Sequence, residues 1–173
     1  MDLAIPGTVE GRLTTNSGGT ITWTPQLAAN DFNGDSHSDI LWQNTNGQAS
    51  IWDMNGNTLT GGGPVSPNPG PSWKAIGSGD FFGGGDSDIL WQNTNGQVAV
   101  WEMNGSNLIG GGTVNLDPGP SWHAIGTDGG GSDILFQNTN GQTAVWEMNG
   151  TNVIGGGAVS LNAGPSWKAI GLS

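Results

Sequence analysis

The sequence predicts an all-β fold made of repeated antiparallel sheets, and three observations support this prediction. First, residues 39–48 recur at 88–97 and again at 133–142, at spacings of 49 and 45 residues. Second, Asn-Gly pairs, which favour tight hairpin turns, separate short runs of strand-forming residues in every copy. Third, 33 of the 173 residues are glycine, which is too many for helices. Short strands repeated at this spacing are typical of the four-stranded antiparallel blades of a β-propeller.

The turns of the first repeat define its strands. Hairpin turns of type I′ are expected at Asn46-Gly47 and Asn55-Gly56, because this turn needs two residues with positive φ. The predicted strands are residues 39–44, 48–54 and 57–65, followed by a fourth short strand at 73–77 after a proline-rich turn. The repeats as a whole are expected at approximately 26–65, 72–114 and 121–159.

The two ends of the chain leave the number of blades open, within a single propeller or half-propeller domain over residues 1–173. Residues 166–171 repeat the beginning of strand 73–77, and are predicted as the first strand of a fourth blade. Residues 1–30 contain two predicted strands, at 8–13 and 20–24, that would complete a blade. One alternative is a four-bladed ring closed by the N- and C-terminal strands, which hides the sheet edges. The other is a half-ring that dimerises into a seven- or eight-bladed ring.

The charge balance excludes two classes of partner. The chain has 3 Lys and Arg against 14 Asp and Glu, and a formal net charge of −11. It therefore lacks the basic surface that nucleic acids and anionic membranes require. No run of about 18 apolar residues is present, so no membrane insertion is expected. There is no cysteine, which excludes disulfides and thiolate metal sites.

The segment 31–39 has the composition of a cation-binding loop. Side-chain oxygens of Asp31, Asn33, Asp35 and Asp39 occupy positions 1, 3, 5 and 9, and position 7 offers the backbone carbonyl of His37. Hard oxygen ligands around a glycine-containing turn suit Ca²⁺. The second loop has phenylalanine and glycine at positions 3 and 5, and is a weaker candidate that keeps three acids, Asp80, Asp86 and Asp88. No tight site is expected in the third loop, which is four residues shorter.

Residues 31–35 (Asp-Phe-Asn-Gly-Asp), followed by 38–42 (Ser-Asp-Ile-Leu-Trp), resemble the FG-GAP or VCBS-like repeat of integrin α-subunit propellers and many secreted bacterial proteins. The resemblance covers about residues 26–173. It implies a β-propeller with calcium in the loop between the first and second strands of a blade. It also implies a role in adhesion or carbohydrate binding, or as a non-catalytic arm of a larger protein. A secreted, extracellular location is expected, with the signal sequence outside this chain.

Matched aromatic and amide side chains suggest a binding module whose partner is a glycan or a surface protein. Aromatic faces bind the apolar side of a sugar, and amides bind its hydroxyl groups. The candidates stand at equivalent places in the three repeats: Gln43, Asn44, Trp52, Gln92, Asn93, Trp101, Gln137, Asn138 and Trp146. Each tryptophan also has a packing explanation between blades. The alternatives are therefore a structural, self-assembling repeat unit, natural or engineered, without a ligand, and an accessory domain of a secreted hydrolase.

No catalytic residue is predicted. The acids Asp53, Glu102 and Glu147 recur at one place in the repeat, so in a ring they stand one blade apart and do not face one substrate. They are interpreted as exposed charges at strand ends. The histidines, His37 and His123, lack a nucleophile at a recognised spacing. The protein is therefore expected not to be an enzyme.

Overall fold

The computed structural model describes residues 11–15, 19, 21–25, 28–128 and 131–172. These residues form strands and loops, and no helix occurs among them. In this part of the chain there is accordingly no helix that is long and apolar enough to cross a membrane. Of the predicted N-terminal strands, residues 8–10 and 20 lie outside the described residues.

Thirteen strands are present in the described residues. In chain order they are β1 Gly11–Thr15, β2 Ile21–Pro25, β3 Ile40–Gln43, β4 Ala49–Asn55, β5 Thr58–Pro64, β6 Trp73–Gly79, β7 Asp88–Asn93, β8 Val98–Asn104, β9 Asn107–Thr113, β10 Trp122–Thr127, β11 Ile134–Asn138, β12 Thr143–Asn149 and β13 Asn152–Ala158. All the strand pairs are antiparallel. Four strands were predicted for the first repeat, and β3, β4, β5 and β6 correspond to them. Each begins and ends within two residues of its predicted bounds.

The strands form three successive sheets with the architecture of propeller blades. Blade 1 is β3-β4-β5, blade 2 is β6-β7-β8-β9 and blade 3 is β10-β11-β12-β13. The predicted strand 73–77 is thus the first strand of blade 2 and does not complete blade 1. The hairpin β1-β2 forms a separate two-stranded sheet. The all-β prediction with antiparallel blades is confirmed, whereas the described residues do not show a closed ring.

The blades pack face to face because apolar residues alternate along their strands. We call the side of each blade that carries the residues equivalent to Ile89 and Trp91 its back face, and the opposite side its front face. The front face of blade 1 and the back face of blade 2 share one buried core, which contains Ile51, Val65 and Trp91. The front face of blade 2 and the back face of blade 3 share the other. Full burial of such a side chain contributes about 1.5–3 kcal/mol, so these two interfaces dominate the stability of the array.

The hairpin turns differ from the predicted type I′. Only the glycines have positive φ, at 92° for Gly47 and 59° for Gly56, whereas Asn46 and Asn55 do not. The first turn is closed by a bond from the Gly47 N–H to the Asn44 carbonyl, 3.0 Å, and has three loop residues. This is the arrangement of a type I turn followed by a left-handed glycine. In the second, Asn55 pairs with Thr58, so the glycine takes the first of two central positions, as in a type II′ turn.

The C-terminal segment 166–171 is not a strand in the structure, which corrects the prediction. The equivalent strands β6 and β10 are held by the second strands of their own blades, β7 and β11. No such partner follows residues 166–171 in the described chain, and β1 and β2 pair only with each other. The predicted four-bladed closure is therefore not formed by the residues described.

Candidate functional site

Loop 1, residues 31–39, leads into the first strand of blade 1 and is anchored by Phe32, which is fully buried between blades 1 and 2. Its backbone also accepts two hydrogen bonds from the chain segment of blade 2. The Asp31 carbonyl accepts the Ser87 N–H at 2.6 Å, and the Phe32 carbonyl accepts the Gly105 N–H at 2.6 Å. Loop 1 is therefore a fixed part of the interface between two blades.

The predicted ligand Asp31 organises the loop backbone. This carboxylate is buried, and its Oδ1 accepts the N–H of Gly34 at 2.8 Å and of Asp35 at 3.2 Å. Its Oδ2 accepts the N–H of Ser36 at 2.8 Å. Gly34 and Ser36 both have left-handed backbones, with φ of 73° and 68°. The loop thus wraps its N–H groups around a single carboxylate.

The next two predicted ligands, Asn33 and Asp35, are exposed to solvent on the outside of the loop. Asn33 Oδ1 accepts the Asp35 N–H at 3.0 Å, and Asp35 Oδ1 accepts the His37 N–H at 2.9 Å. The His37 ring also lies against Asp35, with 3.1 Å between Nδ1 and Oδ1. Both side chains therefore offer oxygen atoms to solvent or to an ion on the accessible side of the loop.

Asp39 and Asp88 occupy equivalent positions, and both carboxylates bridge two elements of a blade. Asp39 accepts the Phe32 N–H at 2.9 Å on Oδ2 and the Met54 N–H at 2.9 Å on Oδ1. Asp88 accepts the Phe81 N–H at 2.9 Å and the Met103 N–H at 3.0 Å in the same way. Burial raises the pKa of Asp88 to about 6, against the opposing effect of these N–H donors. Each residue ties the start of its loop to a neighbouring strand, β4 for Asp39 and β8 for Asp88.

Asp53 belongs to the same acidic group, although the sequence interpretation placed it as an exposed strand-end charge. It is half-buried, and its buried Oδ1 has no hydrogen-bond partner. Burial raises the pKa of Asp53, and the charges of Asp39 and Asp35 raise it further, while a hydrogen bond with Asn33 lowers it. A carboxylate so placed adds negative charge to loop 1.

Loop 2, residues 80–88, contains a second group of carboxylates close to loop 1. Asp80 accepts the Gly85 N–H at 3.1 Å through one oxygen, and the other, Oδ1, is buried without a partner. Asp86 lies so close to loop 1 that a Cβ added to Gly34 would be 2.7 Å from its Oδ1. Burial raises the pKa of Asp86, and the charges of Asp31 and Asp80 add to the effect. Of the three weaker candidates, Asp86 thus faces the first loop.

Loop 3, residues 127–133, repeats the pattern with fewer carboxylates. Asp128 Oδ1 is also buried without a hydrogen-bond partner. Burial raises the pKa of Asp133, followed by the charges of Asp128 and Glu147. Carboxylates therefore gather in all three loops of the array.

Calcium suits the donor chemistry of loop 1, since the available ligands are all oxygens and one buried carboxylate oxygen beside it, on Asp53, has no partner. Within the described ranges, however, no three His, Cys, Asp or Glu side chains converge on a point where they could hold a metal ion. An ion in loop 1 would therefore need the Asn33 amide oxygen and backbone carbonyls beside the carboxylates.

The three candidate glutamines connect neighbouring blades. Gln92 Nε2 donates to the Trp122 carbonyl at 2.8 Å, and Gln92 Oε1 accepts the Ala124 N–H at 2.9 Å. Gln43 makes the same pair of bonds to Trp73 and Ala75, and Gln137 makes it to Trp167 and Ala169. Gln43 and Gln92 are thus bound to the backbone of the following first strands, β6 and β10, and Gln137 is bound in the same way to residues 167–169, which are not a strand. A sequence signal exists, because glutamine and tryptophan stay 30 residues apart in all three repeats.

The three candidate asparagines stabilise turns. Asn44 Oδ1 accepts the Thr45 N–H at 2.6 Å, and Asn93 and Asn138 accept the N–H two residues further on, at 3.3 and 3.1 Å. These bonds hold the first hairpin turn of each blade. The amides are nonetheless exposed or half-buried, so their remaining donors stay accessible.

The candidate tryptophans form tilted aromatic pairs on the back faces. Trp52 lies 5.0 Å from Trp42, Trp101 lies 5.1 Å from Trp91, and Trp146 lies 4.7 Å from Phe136, between ring centroids. Trp52 is exposed, whereas Trp101 and Trp146 are half-buried at the blade interfaces. The pairs of blades 2 and 3 therefore serve blade packing, with Trp91 and Phe136 buried, whereas both rings of the pair in blade 1 are exposed.

One of these pairs opens onto an aromatic cavity of about 180 Å³. Its walls are Trp73, Trp91, Trp101, Pro69, Ala99, Gly112 and Thr113. The Nε1–H of Trp91 is buried and has no acceptor. The cavity thus has aromatic walls, and one wall residue also carries a buried indole N–H without an acceptor among the described residues, features that the sequence could not reveal.

Residues 31–91 match a known family, the FG-GAP-like repeat. The match begins at the first residue of loop 1 and ends in β7, so it includes loop 1, blade 1 and loop 2. It confirms the resemblance drawn from residues 31–42, and residues 31–91 are similar to an FG-GAP-like repeat. No curated protein matches the chain.

Proposed function

We propose that the protein is a non-catalytic, extracellular binding module that takes a carbohydrate in the cavity between Trp73, Trp91 and Trp101. The carrying observation is the aromatic cavity itself, one of whose walls, Trp91, carries a buried Nε1–H with no acceptor among the described residues. Tryptophan faces bind the apolar side of a sugar ring, and a sugar hydroxyl would accept this hydrogen bond. The glutamines of the original candidate set are better explained by blade packing, since both ends of their amides are bound.

The chain itself supplies the variant that tests this site. Trp91→Phe removes the N–H and keeps an aromatic ring, and blade 3 already has Phe136 at the equivalent place. Losing one hydrogen bond of about 0.5–1.5 kcal/mol should weaken sugar binding by roughly 2- to 12-fold. Titration calorimetry with the best glycan from an array screen measures the change.

Two further variants separate the site from a general effect on the fold. Trp101→Ala removes a stacking wall and should abolish binding, whereas Trp146→Ala, its counterpart in blade 3, should leave binding unchanged. Equal losses in both variants, or an array that stays silent at millimolar glycan, would remove the carbohydrate proposal.

We further propose that loop 1 binds Ca²⁺ through Asp31, Asn33, Asp35, the His37 carbonyl and Asp39. Its support is the hard-oxygen donor set and the crowding of carboxylates with raised pKa values around it. A cation that binds only the folded form stabilises it by mass action. Millimolar calcium should therefore raise the melting temperature of chelator-treated protein.

Asp35→Ala tests the calcium site at little cost to the fold, because its side chain is exposed and touches only loop 1. The variant should lose the calcium response and melt close to the wild-type protein in chelator. Asp117→Ala is the matched control, since this exposed carboxylate holds a distant turn. A melting temperature that calcium does not move in the wild-type protein would contradict the site.

A structural, self-assembling unit is the second candidate. The observation that favours it is the dual use of the repeated residues, since the glutamines, and the tryptophans of blades 2 and 3, all contact a neighbouring blade. Under this alternative the repeats exist to pack on one another, and no soluble ligand binds.

A further inference from the structure

The back face of blade 1 is exposed where the equivalent faces are covered. Trp42 is 46% exposed, whereas its counterparts Trp91 and Phe136 are 1% exposed. Ile40 is likewise exposed, while its counterparts in blades 2 and 3 are fully buried. Blade 1 thus presents the surface that the other two blades use to receive a preceding blade.

The front face of blade 3 is the complementary surface, and it is unpaired at its edge although Leu135 near its centre is buried. Val159 is 42% exposed, whereas its counterparts Val65 and Val114 are 1% and 6% exposed. The C-terminal segment 166–171 is exposed as well, with most of the Trp167 and Ile170 side chains in solvent. Within the chain, this type of face always packs on the back face of the next blade.

In the part of the chain that the structure describes, blade 1 also lacks a strand that the C-terminal segment could supply. Blades 2 and 3 have four strands each and blade 1 has three. The missing one is the first strand, and residues 167–171 repeat the beginning of β6, Trp-Lys-Ala-Ile-Gly. Gln137 already binds this segment at Trp167 and Ala169, as Gln92 binds β10. The segment is thus held at the place of a first strand without a second strand to pair with.

We propose that two copies of this chain associate head to tail, with residues 166–171 of each copy forming the first strand of blade 1 in the other. The front face of blade 3 then packs on the back face of blade 1, as it does between blades inside one copy. The register follows from β6 and β7, where Trp73 is opposite Asn93 and Ala75 is opposite Trp91. It places Trp167 opposite Asn44, and Ala169 opposite Trp42, of the second copy.

The contact joins two different surfaces, so each copy donates once and receives once. Such a contact either closes into a ring or continues as an open chain. Two copies with three blades each give a ring of six four-stranded blades, within the usual range of four to eight. The net charge of −11 on each copy opposes association, so physiological salt should favour it.

Light scattering on the eluting protein, at tens of micromolar in 150 mM salt, tests the proposal. The expected mass is twice the 17.7 kDa of one chain. Ile170→Asp damages the donor segment and Trp42→Asp damages the receiving face, and each variant alone should be reduced to the mass of one chain. Ile109→Asp is the control, because Ile109 is exposed in the middle blade and lies outside both surfaces, and it should keep the doubled mass.

Mixing the two damaged variants distinguishes a head-to-tail contact from a symmetric one. The Ile170→Asp protein still has an intact receiving face, and the Trp42→Asp protein still has an intact donor segment. An equimolar mixture restores one of the two contacts of the ring, between the intact segment of one protein and the intact face of the other. It should therefore recover the mass of two chains at a higher protein concentration than the wild type needs. Wild-type protein that elutes with the mass of one chain would overturn the proposal, as would a mixture that stays monomeric.

Discussion

At the scale of single residues, the carboxylates have two distinct roles. Asp39 and Asp88 accept backbone N–H groups on both oxygens and hold a loop against a strand. Asp53 and Asp80 instead keep a buried oxygen without a partner. The first pair stabilises a blade directly, whereas the second pair leaves negative charge that a bound cation would balance.

The bridging role predicts the effect of Asp39→Asn. The amide keeps one acceptor oxygen, so the N–H of Phe32 or of Met54 is left facing an NH₂ group. An unsatisfied buried donor costs about 1–3 kcal/mol, and the free energy of unfolding in chelator should fall by this amount. Urea titration measures this change in the free energy of unfolding.

Asp117→Asn is the control, since Asn68 and Asn162 make the same turn bond in the other repeats. This variant should leave the free energy of unfolding unchanged. Equal losses in the two variants would contradict the bridge.

The raised pKa of Asp88 predicts an unusual dependence of stability on pH. Its value is about 6 in the folded protein and near 3.8 in the unfolded chain. The protonated form is thus favoured by folding, and this contribution is present below about pH 4 and is lost as the pH rises through 6. In chelator, the free energy of unfolding should fall between these values. Asp88→Asn should make the free energy of unfolding depend less on pH over this range. A free energy of unfolding that rises over this range in the wild-type protein would contradict the raised pKa of Asp88.

Loop 1 could be predicted at this scale because its oxygens alternate within nine residues. The position of Asp53 could not, because it comes from a strand that the hairpin brings back beside the loop. The glutamine contacts were also missed, since they span 30 residues and the amide pattern alone suggests a ligand. Contacts that depend on the arrangement of blades have no local sequence signal.

At the scale of strands and turns, the Asn-Gly pairs predict where strands end. They do not determine the turn type, because that depends on which residues pair on either side. The type I′ prediction was wrong for this reason, as the register of β4 and β5 places Gly56, and not Asn55, at the first central position. The prediction of a strand at 166–171 was wrong for a related reason. A strand needs a second strand to pair with, and none pairs with this segment among the described residues.

The first hairpin turn of each blade gives a sharp test of close packing. Gly96 has a φ of 100°, and a Cβ there would overlap the backbone of Gly119 in the proline-rich turn. Gly105 has a φ of 56° and open space around it. Gly105→Ala should cost about 1–2 kcal/mol from its left-handed backbone alone. Gly96→Ala should cost clearly more in urea unfolding, and equal costs would argue against this packing of the two turns.

At the scale of the whole molecule, one interface is repeated. Each front face covers the next back face, and each first strand is fixed by a glutamine from the blade before it. This explains why the spacing between repeats changes from 49 to 45 residues without disturbing the strands, because the shortening falls between β10 and β11. The repeat predicted the blades, whereas the way in which the array ends depends on surfaces that only the structure defines.

The most direct test of this account is a crystal structure of the 173-residue chain grown with millimolar calcium. The account predicts that Trp91 is enclosed between blades 1 and 2, that calcium occupies loop 1, and that residues 166–171 of a second copy lie beside β3. A structure in which Trp91 faces solvent, or in which residues 166–171 pair with β1 or β2 of their own chain, would contradict it.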